Sequence, residues 1–344
     1  MMGRRAFLQG STGVLGAAFG LARPEQALAQ AQPGNLIPVP GAYSAPGLAY
    51  ASMFLAGRKK LWAAHGLEPT LKAVEGGALA MVTLNTGDSE FVCVASTDAM
   101  IAWERGVKML VVAAFYGSLT IQLTASREWM AKSGLGPNSS IDEKVRALKG
   151  ARIGSSSLGG GPPQYTKFLG GLYGLDPEKD IRIVMVGQGP TRIAALREGR
   201  VDMVVGGAPE ADQIALEGYG DLYINFPEVP IFKDFPFTVV AVKQEVVDKD
   251  PERVRRIART IGEANDFIRN NFDQAVAEMQ AQFPRINPEA IQRAMARDRD
   301  SVPAGARMTE AMWANGYKCA AAMKSIKATP PLEEGGFWTN KFLA

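Results

Sequence analysis

The sequence predicts an α/β protein of two lobes, the second inserted into the first. Three observations carry this reading. Short apolar runs alternate with longer helix-periodic stretches from Leu36 onward, the same alternation restarts after Ser126, and beyond Val242 the chain turns almost wholly helical. Strands separated by helices pair in parallel through right-handed crossovers, so each alternating series builds its own sheet. The roughly 300 residues beyond an N-terminal leader also fit two domains better than one.

The leader itself is residues 1–29. Arg4 and Arg5 stand before Ala6, Phe7 and Leu8, no charge follows from Ala6 to Ala22, and Ala27-Leu28-Ala29 offers a small-residue cleavage site. This is the pattern of a twin-arginine export signal, which implies handling by the Tat machinery and work in the periplasm after folding. Gly10, Ser11, Thr12, Gly13, Gly16 and Gly20 dilute the apolar stretch too far for a membrane-spanning helix. The chain has 38 basic and 35 acidic residues; setting aside Arg4, Arg5, Arg23 and Glu25 leaves 35 against 34. That near-neutral balance, without a polybasic run, gives no ground for a nucleic-acid or anionic-membrane partner.

After a polar spacer at 30–36, Leu36–Val39 reads as a strand, Pro46–Ala64 as a helix, Pro69–Val74 as a strand and Ala78–Asn85 as a helix stopped near Gly87. Phe91–Ala95 is an unbroken apolar run of the kind found in a buried parallel strand. A helix at Thr97–Arg105 and a strand at Val107–Phe115 complete the first series. The second is a βαβαβ unit: strand Arg152–Ser155, helix Gln164–Tyr173, strand Ile181–Val186, helix Thr191–Glu198 and strand Val201–Val205, with Gly174 and Gly199 ending the helices. Thr238–Val242 is one more strand, followed by helices at Pro251–Asn271, Asp273–Phe283, Pro288–Arg297 and Thr309–Ile326. This order places a first lobe at 30–122 plus 238–344 and a second at 123–237, with crossings near Gln122 and Phe237.

Two open α/β lobes leave a cleft, and ligands in such sheets sit beyond the carboxyl ends of strands. The polar loops fall there. Gly154-Ser155-Ser156-Ser157-Leu158-Gly159-Gly160-Gly161-Pro162-Pro163 joins a strand to a helix; its glycines let backbone amides approach a bound group, and a helix start favours an anion or the negative end of a dipole. It lacks the Gly-Lys-Ser/Thr ending of a P-loop. Ser96-Thr97-Asp98 is the matching loop of the first lobe, whose hydroxyls either cap the following helix, hold a ligand, or do both. Tyr43-Ser44-Ala45-Pro46, Tyr116-Gly117-Ser118, Gly187-Gln188-Gly189 and Gly207-Ala208-Pro209-Glu210 occupy the corresponding strand ends. Tyr43, Tyr116, Phe235 and Phe237 leave room for an aromatic ring.

Catalytic and metal chemistry find little to work with. His65 is the sole histidine and reads as a helix C-terminal contact, and no clustered cysteines accompany it, so zinc has no ligand set. Cys93 and Cys319 are either buried free thiols or a bridge permitted by an oxidising compartment. Arg192 reads as an exposed helix arginine or else as a charge partner for a ligand, and the run Arg253, Arg255, Arg256 and Arg259 as a solvated helix face. No cofactor is implied.

Four segments in this order give the chain a family likeness: Lys60-Leu61-Trp62-Ala63-Ala64-His65-Gly66-Leu67-Glu68-Pro69, Leu84-Asn85-Thr86-Gly87-Asp88, Leu148-Lys149-Gly150-Ala151-Arg152-Ile153-Gly154, and Ala195-Leu196-Arg197-Glu198-Gly199-Arg200-Val201-Asp202. From about Tyr43 to Asn271 the chain resembles the solute-binding proteins of bacterial ABC importers of the nitrate, sulfonate and taurine type, a group that also includes thiamine-pyrimidine binding and synthesis proteins. The resemblance implies a type II periplasmic-binding-protein fold, a monomeric two-lobed clamp with a ligand cleft and two crossing hinge segments. It implies a small organic or inorganic anion as ligand and an ABC permease in the inner membrane as partner. Ligand contacts carried over by the resemblance are Ser44, Ser96, Thr97 and Tyr116 from the first lobe, and Ser156, Ser157, Gly159 and the Pro209 segment from the second; Gln188 and Glu210 join them from the loops above. Where many members have a Glu-Pro pair, this chain has Ala208-Pro209 with Glu210 one step later. The cysteine-rich motif of the yeast pyrimidine synthase is missing, which argues against the enzyme branch. A thiamine-pyrimidine or aromatic-ligand binder, a pyrimidine-synthase-like enzyme with Asp98 or Glu210 as base, and a receptor presenting its ligand to a sensor kinase are the alternatives.

Overall fold

The computed structural model describes residues 36–156, 158 and 161–344. The expected export signal and most of the spacer lie outside the described residues. The first alternating series forms β1 (Ile37–Tyr43), α1 (Ala51–Arg58), α2 (Leu61–Ala64), β2 (Leu67–Ala73), α3 (Gly77–Thr86), β3 (Phe91–Ala95), α4 (Ser96–Glu104) and β4 (Met109–Tyr116). The second forms β5 (Ile121–Ser126), α5 (Arg127–Ser133), α6 (Ile141–Arg146), β6 (Arg152–Ser155), α7 (Gly161–Leu172), β7 (Arg182–Met185), α8 (Pro190–Arg197), β8 (Met203–Gly207), α9 (Glu210–Glu217), β9 (Gly220–Asn225) and α10 (Pro230–Lys233). The chain then returns through β10 (Thr238–Lys243) and closes with α11 (Gln244–Lys249), α12 (Pro251–Asn270), α13 (Phe272–Gln282), α14 (Pro288–Asp298) and α15 (Glu310–Ala322).

Two five-stranded sheets result, ordered β2-β1-β3-β10-β4 and β7-β6-β8-β5-β9. The two have the same plan. In each, three strands of βα units run in parallel, and a strand arriving from the other lobe is inserted antiparallel: β10 between β3 and β4, β5 between β8 and β9. Sequence follows position. Phe91–Val94 of β3 and all of β4 are buried, as strands covered on both sides require, whereas the edge strand β2 alternates and exposes Glu68, Thr70, Lys72 and Ala73. Helix α12 presents Val254, Ile257, Ala258, Ile261, Ala264 and Ile268 on one face, all buried, with Val254 and the three isoleucines each contributing roughly 1.5–3 kcal/mol by leaving water.

The expected single helix over Pro46–Ala64 is broken. A 3-10 turn at Leu48–Tyr50 leads into α1, and Lys60 then adopts φ 57°, a left-handed conformation through which a helix does not continue, so α2 starts afresh. The chain leaves the first sheet at Tyr116 and enters the second at Ile121, so the crossing precedes Gln122, which lies inside β5. The return runs between Asn225 and Thr238. Both cysteines are buried free thiols. His65 caps α2 at its carboxyl end and meets Glu263 of α12 at 2.8 Å.

Candidate functional site

Five helices start at the carboxyl ends of parallel strands: α3 after β2, α4 after β3, α7 after β6, α8 after β7 and α9 after β8. Their amino termini, rich in unsatisfied amides, therefore gather along the facing edges of the two sheets. On the first sheet, Ser44 follows β1 and its hydroxyl lies 2.6 Å from that of Tyr50. Ser96 opens α4 and is fully buried; its backbone N–H donates to the Phe237 carbonyl at 2.9 Å, while its Oγ has no hydrogen-bond partner among the described residues. Thr97 Oγ1 lies 3.1 Å from the hydroxyl of Tyr165, a residue of α7, so the two lobes touch here. Tyr116 donates to the Leu48 carbonyl at 3.0 Å. Burial pushes the Tyr50, Tyr116 and Tyr165 hydroxyls upward, so all three stay neutral. Asp98, in the first turn of α4, is pushed up to about 6 by burial, opposed by the Ala95 backbone N–H that its carboxylate accepts.

On the second sheet, Ser155 ends β6, fully buried, and its Oγ too lacks a partner among the described residues. Ser156 is half-buried; Ser157 and Gly159 lie outside the described residues. Gln188 is exposed just ahead of α8, and its carbonyl accepts from the Thr191 hydroxyl at 2.7 Å. Pro209 is buried at the start of α9. Glu210 is already engaged: Arg192 Nε donates to one carboxylate oxygen at 2.7 Å and Nη2 to the other at 2.5 Å. The expected exposed helix arginine is thus a correction. Arg192 is 6% exposed, because α8 lays its buried face, with Ile193 and Leu196, on the sheet beside β8, and only a paired guanidinium is tolerated there. Of the aromatic residues expected to admit a ring, Phe235 is fully buried and packs edge-on to Tyr165, with centroids 5.8 Å apart.

One cluster escaped the sequence reading. Arg297 and Asp298 end α14, and Arg297 Nη1 donates to both oxygens of Asp212 in α9, at 2.7 and 2.9 Å, a second contact between the lobes. Burial raises Asp212, opposed by Arg297, and pushes Asp298 up to about 7. Arg297 and Asp298 fall at the tail of a helix, and nothing in the local sequence marks them as buried. Two cavities lie away from these strand ends, one of about 570 Å³ at the opposite end of the second sheet beside Arg152 and Asp202, another of about 710 Å³ between α7 and the end of α15. Among the described residues, no group of three or more His, Cys, Asp or Glu is arranged to hold a metal ion, and no helix is long and apolar enough to cross a membrane.

Comparison with known proteins places this geometry. The profile of the NMT1-like family matches residues 45–283. YtlA of Bacillus subtilis (strain 168) is 21% identical over 249 residues, covering 72% of this chain and 71% of YtlA. A solved structure from Bordetella bronchiseptica RB50 superposes with a TM-score of 0.73 at 19% identity, covering 89% of this chain and 95% of that one. The alkanesulfonate-binding protein SsuA from Xanthomonas axonopodis pv. citri, solved with bound MOPS, has a TM-score of 0.65 at 18% identity, covering 86% and 96%.

Proposed function

The chain belongs to the NMT1-like family and has the type II periplasmic-binding-protein fold, and from that premise we propose that it is the substrate-binding component of an ABC importer. In this reading it captures a small organic or inorganic anion by closing its lobes and passes it, unaltered, to a permease in the inner membrane. Residues 1–29 deliver it to the periplasm by the twin-arginine route, and the segments 117–120 and 226–237 are its hinges. In this reading the first lobe is 30–122 plus 238–344 and the second 123–237, with the first crossing ahead of β5.

The observation that carries the reading is the convergence of five helix amino termini on the facing sheet edges, where the buried Ser96 and Ser155 hydroxyls are left without partners among the described residues. Helix amino termini attract negative charge, and a buried hydroxyl gains by meeting an acceptor. Ser44, Thr97, Tyr116, Ser156, Ser157 and Gly159 complete the proposed contact surface, with Gln188 and Pro209 at its rim. Glu210 contributes by holding Arg192 in place. A ligand that touches both lobes favours the closed form in proportion to those contacts.

Calorimetric titration of the mature protein against sulfonates, nitrate, carboxylates and pyrimidines tests the reading. Saturable binding of an anion at one site per chain, with the ligand recovered unchanged, is the expected result. Covalent turnover of a bound compound, or exclusive binding of uncharged pyrimidines, contradicts it.

A further inference from the structure

We propose that the ligand's acidic group, a carboxylate or sulfonate, docks on the free edge of Arg297. The inference rests on the importer reading above and names the residue that reads the anion's charge. Arg297 spends one nitrogen, Nη1, on Asp212, while its Nε and Nη2 are sealed from solvent and have no hydrogen-bond partner among the described residues. Those two N–H groups point in parallel along one edge of the guanidinium, the fork that matches two oxygens of a carboxylate or sulfonate. Buried charged donors are normally satisfied, so an unfilled fork at this depth calls for an acceptor.

The position suits a ligand held at the base of a cleft. Arg297 ends α14, which packs on α13 and on α9, and Asp212 comes from the first turn of α9 in the second lobe. The carboxyl end of α14 runs beneath the crossing from β4 to β5, where the Gly117 N–H donates to the Ser301 carbonyl at 2.7 Å, and the electrostatic influence of Arg297 and Asp298 reaches Tyr116 at the end of β4. The other groups facing the cluster are Asp298, whose Oδ1 forms a long ion pair with Arg297 Nε at 3.4 Å that an incoming oxyanion would replace, and Arg293, which acts on Asp212 at longer range. Burial pushes the Asp298 carboxyl up to about 7, which lessens its repulsion of an incoming oxyanion below that pH.

The test compares matched ligands on wild-type protein and on Arg297→Gln and Arg297→Lys: propanesulfonate against propanesulfonamide, and benzoate against benzamide, by calorimetry, with circular dichroism checking the fold. Wild type is expected to prefer an acid over its amide. Arg297→Gln should lose about 100-fold in acid affinity, the order expected for two charge-assisted hydrogen bonds, and bind acid and amide alike. Arg297→Lys retains a charge for Asp212 and so protects the fold where glutamine does not; it should still lose at least about tenfold for want of the fork. Acid affinity unchanged in either folded variant overturns the inference while leaving the importer reading intact. Failure of every anion to bind wild type overturns both.

Discussion

Thr97 and Tyr165 meet across the cleft, with the threonine Oγ1 3.1 Å from the tyrosine hydroxyl and both side chains buried. One stands at the start of α4 on the first sheet, the other one turn into α7 on the second, so the hydrogen bond exists only while the lobes are together. Tyr165→Phe removes it with little change of shape. A net contribution of about 1 kcal/mol to the closed form corresponds to an affinity loss of roughly fivefold, with the unfolding midpoint of the free protein nearly unchanged. Titration of the variant with the wild-type ligand, paired with small-angle scattering of the ligand-free protein, checks this; equal affinity means the contact has no part in closure.

Arg192 and Glu210 make a prediction about stability instead. The pair is bidentate and shielded, with side-chain exposures of 7% and 17%. Arg192→Ala strands the Glu210 carboxylate in a site that has no other cation bonded to it among the described residues, and removing one member of a buried pair costs about 3–5 kcal/mol. Glu210→Gln, which keeps a hydrogen-bonding oxygen, should cost less. Guanidinium unfolding of the two variants separates them, and a loss below about 1 kcal/mol for Arg192→Ala places the pair effectively in solvent.

These two contacts also show where the sequence was legible. Phe91–Ala95 announces itself as a strand because a buried parallel strand reads as an apolar run, and Arg152–Ser155 is placed by the strand–helix rhythm around it; the observed bounds of both coincide with that reading. β5 and β9 do not announce themselves. β5 alternates apolar and polar residues like a half-exposed strand, yet Gln122 and Thr124 are buried with the rest because it lies between two neighbouring strands. The strand-end loops were legible as a set because the βα rhythm fixes where carboxyl ends fall. Arg192 and Arg297 were not, since a guanidinium's burial depends on a carboxylate from a distant element: Glu210 from α9 in one case, Asp212 from α9 in the other.

Asp298 supplies a pH dependence with a definite sign. Its carboxyl titrates at about 7 in the folded chain, against an ordinary value of 3.8, because burial disfavours the charged form. From about pH 4 to about pH 7 the folded state holds a proton that the unfolded state has released, so this residue's contribution makes stability fall as pH rises through that window and then level off. Asp298→Asn has no such proton. Its unfolding midpoint should show a shallower decline over the window and exceed that of wild type by a few degrees at about pH 8. Melting curves at intervals across and just above this window give the comparison, and parallel profiles for the two proteins refute the assignment of the slope to this carboxyl.

Gly77 and Asp98 are pressed together where α3 meets α4. A Cβ added at Gly77 would lie 1.9 Å from Asp98 Oδ2 and 2.2 Å from its Cγ, closer than any stable contact. The glycine does not serve a left-handed turn, since its φ is not among the positive ones of this chain, so space alone demands it. Alanine improves helix propensity by about 1 kcal/mol, but accommodating it forces Asp98 off the Ala95 amide or pushes α3 away, and overpacking of this kind costs about 1–3 kcal/mol. Gly77→Ala is therefore expected to destabilise the wild-type background and to become neutral or stabilising once Asp98→Ala has removed the obstructing carboxylate. The coupling from the four unfolding free energies should exceed about 1 kcal/mol. Equal cost in both backgrounds would locate the strain elsewhere, and would free Asp98 from the structural role that now holds its carboxylate against the amino ends of two helices.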